Sequence, residues 1–102
     1  MRRLIVRYKV KSDMVDENQK YIRKVFEELH QTHPSGLRYA SFRLSDGASF
    51  VHIVSVETTD DSNPLSETPA FKSFNAGITD RCEEQPVLTE MTEVGSYRFF
   101  EP

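Results

Sequence analysis

The chain has 102 residues, with 13 Lys and Arg against 16 Asp and Glu, which gives a formal charge of -3 at pH 7. This length predicts one domain over residues 1–102 with a single hydrophobic core. The acidic balance gives no general attraction to phosphate backbones or anionic lipid, so we expect no nucleic-acid partner and no membrane partner.

The cysteine content indicates a reducing compartment. Cys82 is the only cysteine, which excludes an internal disulfide and a cysteine-based metal cluster. The longest apolar run near the start is Leu4-Ile5-Val6, far too short for a signal-peptide core or a membrane span. We therefore expect a cytoplasmic protein.

The first half of the chain predicts a strand and a helix. Residues 3–10 alternate, with Leu4, Val6, Tyr8 and Val10 on one face and Arg7 and Lys9 on the other. Apolar side chains then recur at helical spacing, which predicts a helix over residues 14–31. Asp13 would cap its start, and Pro34 with Gly36 would end it.

A hairpin is predicted next. Asp46-Gly47 joins two β-rich runs, residues 37–44 and 49–57, and this dipeptide is a strong signal for a tight turn between antiparallel strands.

The remaining chain predicts a second helix and a fourth strand. The helix would start at Thr68-Pro69, end at Pro86, and approach the sheet closely at Gly77. Its buried stripe would consist of Phe71, Phe74, Ile78 and Cys82. The strand would lie within residues 87–100, interrupted at Gly95. The order βαββαβ predicts a ferredoxin-like α+β fold, with a four-stranded antiparallel sheet and both helices on one face.

The hairpin turn allows two pairing registers, which place strand two on opposite faces. A two-residue loop pairs His52 with Ser41, whereas a three-residue loop that includes Ser45 pairs it with Ala40. Only the second puts Phe42 on the same apolar side as the buried residues of strands one and three, so we predict the second.

This register leaves an apolar face without helices. We predict that it carries Ile5, Leu37, Tyr39, Val51 and Ile53 among Arg7, Lys9, Ser41 and Arg43. Five large apolar groups exceed what a soluble monomer usually exposes as one patch. A second copy presenting the same face would cover them, so we predict a homodimer.

The stretch D-G-A-S-F-V-H-I-V, residues 46–54, is close to the RNA-reading octamer of RRM domains. Asp46 stands where a basic residue is needed, and Ala48 and Ile53 stand where aromatic side chains would stack on bases. The sequence therefore argues against RNA binding.

His52 is the most interesting single residue, because a histidine under the helices can act as a general acid or base or bind a metal. The alternative is a neutral core histidine, hydrogen bonded to a neighbour. Tyr8 is the other polar member of this face.

Two further features carry no predicted chemistry. His30 and His33 follow Glu27 at the end of the first helix, where helix-end electrostatics explain them better than a metal site. Cys82 lies in an apolar stripe, where a thiol is a poor nucleophile. No metal site is predicted.

Three further stretches of the chain read F-R-L-S-D-G-A-S-F-V-H-I-V-S-V-E, N-P-L-S-E-T-P-A-F-K-S-F-N-A-G-I-T-D-R-C and V-G-S-Y-R-F. Together they resemble the antibiotic-biosynthesis-monooxygenase-like group of dimeric α+β barrel proteins. The group includes cofactor-independent quinone-forming monooxygenases and haem-degrading enzymes, whose ligands sit between helices and sheet. The chain departs from several of these members in having no tryptophan.

The resemblance implies a binding site with no cofactor. The catalytic residues would be His52 and Tyr8, and the ligand-binding residues would be Phe42, Phe74 and Asn75. A cavity of at least about 300 Å³ beneath the helices would support this expectation.

Two functions are consistent with these observations. The first is a homodimeric, cofactor-independent monooxygenase acting on a hydrophobic aromatic small molecule. The alternative is a noncatalytic dimerisation or ligand-sensing module, in which His52 is only packed.

Overall fold

The computed structural model describes residues 1–100. Its elements are β1 (Arg2–Val10), a 3-10 turn (Ser12–Met14), α1 (Val15–Thr32), β2 (Leu37–Arg43), β3 (Ser49–Val56), α2 (Pro64–Glu67), α3 (Pro69–Ala76), α4 (Ile78–Arg81) and β4 (Cys82–Met91). The strands form one antiparallel sheet in the order β2-β3-β1-β4. The predicted ferredoxin-like α+β fold is confirmed.

The hydrophobic core lies between the helices and one face of this sheet, which we call the covered face. Alternation along β1 sends Leu4, Tyr8 and Val10 to this face, and Leu4 is paired with Val54 of β3. The helices contribute Val25, Leu65, Phe74 and Ile78. No helix within residues 1–100 is long and apolar enough to cross a membrane.

Helix α1 begins one residue later than predicted and without a side-chain cap. Asp13 lies in the 3-10 turn, and Met14 occupies the cap position without a side-chain hydrogen bond. Asp16 and Glu17 still place negative charge at the positive end of the helix dipole. The helix ends at Thr32 and is capped by His33, which has a left-handed backbone and donates its N–H to the carbonyl of Leu29.

The second predicted helix is interrupted at Gly77 and forms two helices, α3 and α4. A Cβ at Gly77 would come within 2.8 Å of Nη1 of Arg81, so the close approach is to that side chain and not to the sheet. Cys82 begins β4 and is not part of a helical stripe. Pro86 lies within this edge strand, where a missing N–H is tolerated, and does not end a helix.

Strand β4 also differs from the predicted fourth strand at its C-terminal end. β4 ends at Met91, so Gly95 lies beyond the strand and interrupts nothing.

The predicted hairpin register is wrong. His52 is paired with Ser41, not with Ala40, and Phe42 is paired with Val51. Leu44 donates its N–H to the carbonyl of Ser49 at 2.8 Å, so the loop between this last pair has four residues, 45–48, and within it Gly47 donates its N–H to the carbonyl of Leu44 at 3.0 Å.

Side chains of β2 therefore exchange faces relative to the prediction. Leu37, Tyr39, Ser41 and Arg43 share the face of His52, whereas Ala40 and Phe42 share that of Val51 and Ile53. We call this second face the bare face, because the helices cover only the other one. It carries Ile5, Ala40, Phe42, Val51, Ile53, Val87 and Met91.

Candidate ligand-binding site

A cavity of about 250 Å³ lies between the covered face and helices α3 and α4. It is lined by Val6, Tyr8, Tyr39, His52, Val54, Leu65, Phe71, Phe74, Asn75, Ile78, Pro86 and Leu88. Asn75, Pro86 and Leu88 are the exposed residues of this lining, so they mark its mouth. The volume is slightly below the 300 Å³ expected for a drug-sized ligand, but the space under the helices is not filled.

Aromatic rings form much of the wall. Tyr8 stacks on the ring of His52 with centroids 5.3 Å apart, and Phe74 is tilted against the same imidazole at 5.5 Å. Tyr39 stacks on Phe26 at 5.0 Å. Such a wall favours a flat, aromatic occupant.

Three side chains are hydrogen bonded to the imidazole of His52, which is 3% exposed, and form a cluster with it. Nε2 of His52 is 2.7 Å from the hydroxyl of Tyr8. Nδ1 is 2.5 Å from the hydroxyl of Tyr39 and 2.8 Å from that of Ser41. Both imidazole nitrogens are thus hydrogen bonded.

The cluster continues from Tyr8 to a buried arginine. Asn18, which is completely buried, donates from Nδ2 to the hydroxyl of Tyr8 at 2.9 Å. Arg81 donates from Nε to Oδ1 of Asn18 at 3.1 Å and from Nη2 to the carbonyl of Phe74 at 2.7 Å. Its guanidinium also lies over the ring of Tyr21, 4.6 Å from the centroid.

Burial favours the neutral forms of His52, Tyr39 and Tyr8. It lowers the pKa of His52 to about 4 and raises the pKa of Tyr39 to about 12. It also raises the pKa of Tyr8 well above its ordinary value, although the hydrogen bond from Asn18 opposes this shift. At neutral pH the cluster can therefore donate and accept hydrogen bonds, but His52 is a weak base.

The fold is shared with solved proteins. No family model matches the chain, and no curated protein matches it. A crystal structure described as an antibiotic biosynthesis monooxygenase is similar with a TM-score of 0.75 and 19% identity, over 93% of this chain and 100% of that one. The chain has the fold of an antibiotic biosynthesis monooxygenase.

Two other structures with this fold have similar scores. SnoaB from Streptomyces nogalater, described as a cofactor-independent oxygenase and solved as the mutant N63A, has a TM-score of 0.69 and 14% identity, over 95% of this chain and 96% of its own. A conserved protein from Methanosarcina mazei Go1 has a TM-score of 0.72 and 12% identity, over 88% of this chain and 89% of its own.

Within this monooxygenase fold, the structure brings together four of the five site residues predicted from the sequence. His52, Tyr8, Phe74 and Asn75 all line the cavity. Phe42 does not, because the register places it on the bare face, where it is 47% exposed.

Sequence reasoning placed Tyr8 beside His52 but missed the other two hydrogen-bond partners of its imidazole, Tyr39 and Ser41. Tyr39 and Ser41 were assigned to the wrong face, although a two-residue turn would have paired Ser41 with His52. Asn18 gives a detectable signal, since it falls in the same helical stripe as Val15 and Val25 and interrupts that stripe with an amide. Arg81 gives none, because a lone arginine ordinarily lies at the surface.

The structure also bears on the features that carried no predicted chemistry. Within residues 1–100, no group of three or more His, Cys, Asp or Glu side chains could hold a metal ion. His30 and His33 are exposed at the end of α1. Burial raises the pKa of the Cys82 thiol, which disfavours the nucleophilic thiolate.

Proposed function

We propose that this protein is a homodimeric, single-domain barrel that binds a flat aromatic small molecule in the cavity beside His52 and oxygenates it without a cofactor. The observation that carries the proposal is an aromatic-walled cavity with hydroxyl and imidazole groups along one wall. The description of SnoaB as a cofactor-independent oxygenase supports the reaction class. The single buried, unpaired Cys82 supports a cytoplasmic location.

The reaction would proceed through the anion of the substrate. A hydroxyanthrone, written R2CH2 for its reacting methylene carbon, loses a proton to form its enolate, and the enolate carbon then reacts with O2. Overall, R2CH2 + O2 gives R2C=O + H2O, so O2 is the oxidant and no other reductant is consumed.

The buried cluster would act chiefly by binding the enolate oxygen. His52 has a pKa of about 4, too low for efficient proton abstraction from a phenol near neutral pH. We therefore assign orientation to His52 and to Tyr8, whose hydroxyl is hydrogen bonded to Nε2 of His52, and we assign the hydrogen bond to the ligand to the adjacent Tyr39. The substrate would bind as its anion, ionised in bulk solution before it enters the cavity, so that its proton has already passed to the buffer.

A second function is favoured by a different observation. Within residues 1–100, every buried side-chain nitrogen and oxygen has a hydrogen-bond partner, and His52 uses both ring nitrogens. A satisfied cluster of this kind suits a noncatalytic ligand-sensing or dimerisation module, in which His52 is a packed, neutral residue.

In the proposed homodimer, the bare face of one copy would contact the bare face of the other. An open groove of about 420 Å³ crosses it, with Ile5 and Val87 beside the charged side chains of Arg7, Lys9 and Glu84. Apolar groups next to charges of both signs suit contact with a second copy of the same face. Light scattering after size exclusion should give twice the chain mass, and the variant I53D should give one chain mass.

Oxygen uptake separates the two functions. Wild-type protein is mixed with a panel of hydroxyanthrones and phenols, with and without added haem, and O2 consumption is recorded. Turnover without haem that is lost in H52Q and retained in H30Q supports the oxygenase, because His30 is an exposed histidine outside the cavity. Ligand binding without O2 uptake supports the sensing module.

A further inference from the structure

The buried hydrogen bonds have a direction that follows from Arg81. A guanidinium only donates, so the atom of Asn18 that faces Arg81 must be the amide oxygen. The amide NH2 of Asn18 must then face Tyr8 and donate to its hydroxyl. The amide orientation is thus fixed by chemistry.

The direction of these hydrogen bonds also determines which ring nitrogen of His52 carries the proton. The hydroxyl of Tyr8 accepts from Asn18, and its own proton has one acceptor within reach, Nε2 of His52 at 2.7 Å. If Nε2 were protonated instead, the proton of this buried hydroxyl would have no partner, which native structures avoid. Nε2 is therefore the acceptor, and the ring proton lies on Nδ1.

The protonated Nδ1 of His52 also determines the hydrogen bonding of Tyr39, which lines the cavity. Nδ1–H of His52 points at the hydroxyl oxygens of Tyr39 and Ser41. Because Nδ1 carries the ring proton, the Tyr39 oxygen 2.5 Å away accepts there and cannot donate its own proton to His52. The hydroxyl proton of Tyr39, which lines the cavity, is left to donate elsewhere.

We propose that Arg81 is a positioning residue: through Asn18 and Tyr8 it holds His52 as the Nδ1–H tautomer and leaves the Tyr39 hydroxyl to donate to an acceptor oxygen of the ligand. The ligand class is then an enolate, a phenolate or a quinone carbonyl. This ligand assignment rests on the proposed function, whereas the tautomer is a property of the ligand-free protein.

The tautomer is tested by long-range 1H–15N NMR of ring-labelled protein. In the wild type, the unprotonated nitrogen should be Nε2, recognised by its coupling to both ring C–H protons. In N18D the carboxylate only accepts, so Tyr8 turns its proton to the carboxylate and His52 should become the Nε2–H tautomer.

Two further variants keep this test decisive. Y8F removes the donor to Nε2 and should give a mixture of tautomers, which applies even if N18D fails to fold. Y21F is the matched control, because Tyr21 packs on Arg81 without joining the hydrogen bonds, and it should keep the wild-type tautomer. An Nε2–H tautomer in the wild type, or no change in both N18D and Y8F, overturns the proposal.

The ligand assignment is tested with 4-nitrophenol, whose absorbance reports its ionisation. Y39F should weaken phenolate binding on the order of tenfold or more, as for loss of a hydrogen bond to a charged group, whereas Y97F should not, because Tyr97 is exposed. Equal affinity of Y39F and wild type overturns the ligand assignment. If wild type does not bind 4-nitrophenol, the ligand assignment fails together with the proposed phenol site, while the tautomer result stands alone.

Discussion

Replacing His52 should remove a large part of the pH dependence of stability. Burial lowers the pKa of His52 from the ordinary 6.5 to about 4, so the unfolded chain binds a proton at a higher pH than the folded chain does. The folded state is then fully favoured above pH 6.5 and loses stability as the pH falls towards 4. Linkage gives a loss of about 2 kcal/mol between about pH 7.5 and pH 5, approaching about 3 kcal/mol near pH 4.

This magnitude is measurable by urea unfolding followed by circular dichroism. With a slope of about 1.5 kcal/mol per M, the midpoint of the wild type should fall by about 1.3 M between about pH 7.5 and pH 5. H52Q should be less stable at neutral pH, but its midpoint should change much less over this range. All measurements use one protein concentration, because association adds to apparent stability.

A matched control isolates the buried histidine from the exposed ones. H30Q removes a histidine at the surface and should keep the pH dependence of the wild type. Parallel pH profiles for wild type and H52Q would refute the reasoning, because they would show that His52 titrates alike in the folded and unfolded chain.

Two pairs of substitutions test other parts of the structure. G36A should lower the free energy of unfolding by about 2–3 kcal/mol, because the left-handed backbone (φ +76°) disfavours a side chain and the new Cβ would lie 2.7 Å from Cγ2 of Thr58. G47A introduces similar backbone strain (φ +82°) but meets no neighbouring atom, so it should lower the free energy of unfolding by about 1 kcal/mol. Equal losses of stability in thermal unfolding would contradict the clash. F74A should cost about 3–5 kcal/mol and change the cavity, whereas F42A on the bare face should cost less than half as much and leave ligand affinity unchanged. A larger loss of binding in F42A than in F74A would contradict the observed register.

The fold could be predicted because its signals are local. Alternation in β1, helical spacing in α1 and the Asp46-Gly47 turn each depend on a few neighbouring residues. The register could not be chosen in the same way, because the choice assumed that the covered face is uniformly apolar. A buried histidine needs hydrogen-bond partners, and that requirement alone would have favoured Ser41 over Ala40 opposite His52.

The second helical segment shows a different limit. Pro86 was interpreted as a helix end, although proline also fits an edge strand, and whether a strand lies at an edge depends on the whole sheet. The role of Arg81 depends on packing between Tyr21 and Phe74, which lie far apart in sequence. Neither fact is encoded in a short window of residues.

The hairpin between β2 and β3 carries a consequence for how this protein can vary. Surface turns ordinarily accept insertions and deletions with little effect. Here the insertion or deletion of one residue in the four-residue loop would shift the register of β2 by one residue. The hydroxyls of Tyr39 and Ser41 would then turn away from the imidazole of His52, and Ala40 and Phe42 would face it instead. The length of an exposed turn is thereby tied to the chemistry of a buried ring on the next strand, and relatives with a longer or shorter turn should differ from this chain at positions 39, 41 and 52 together.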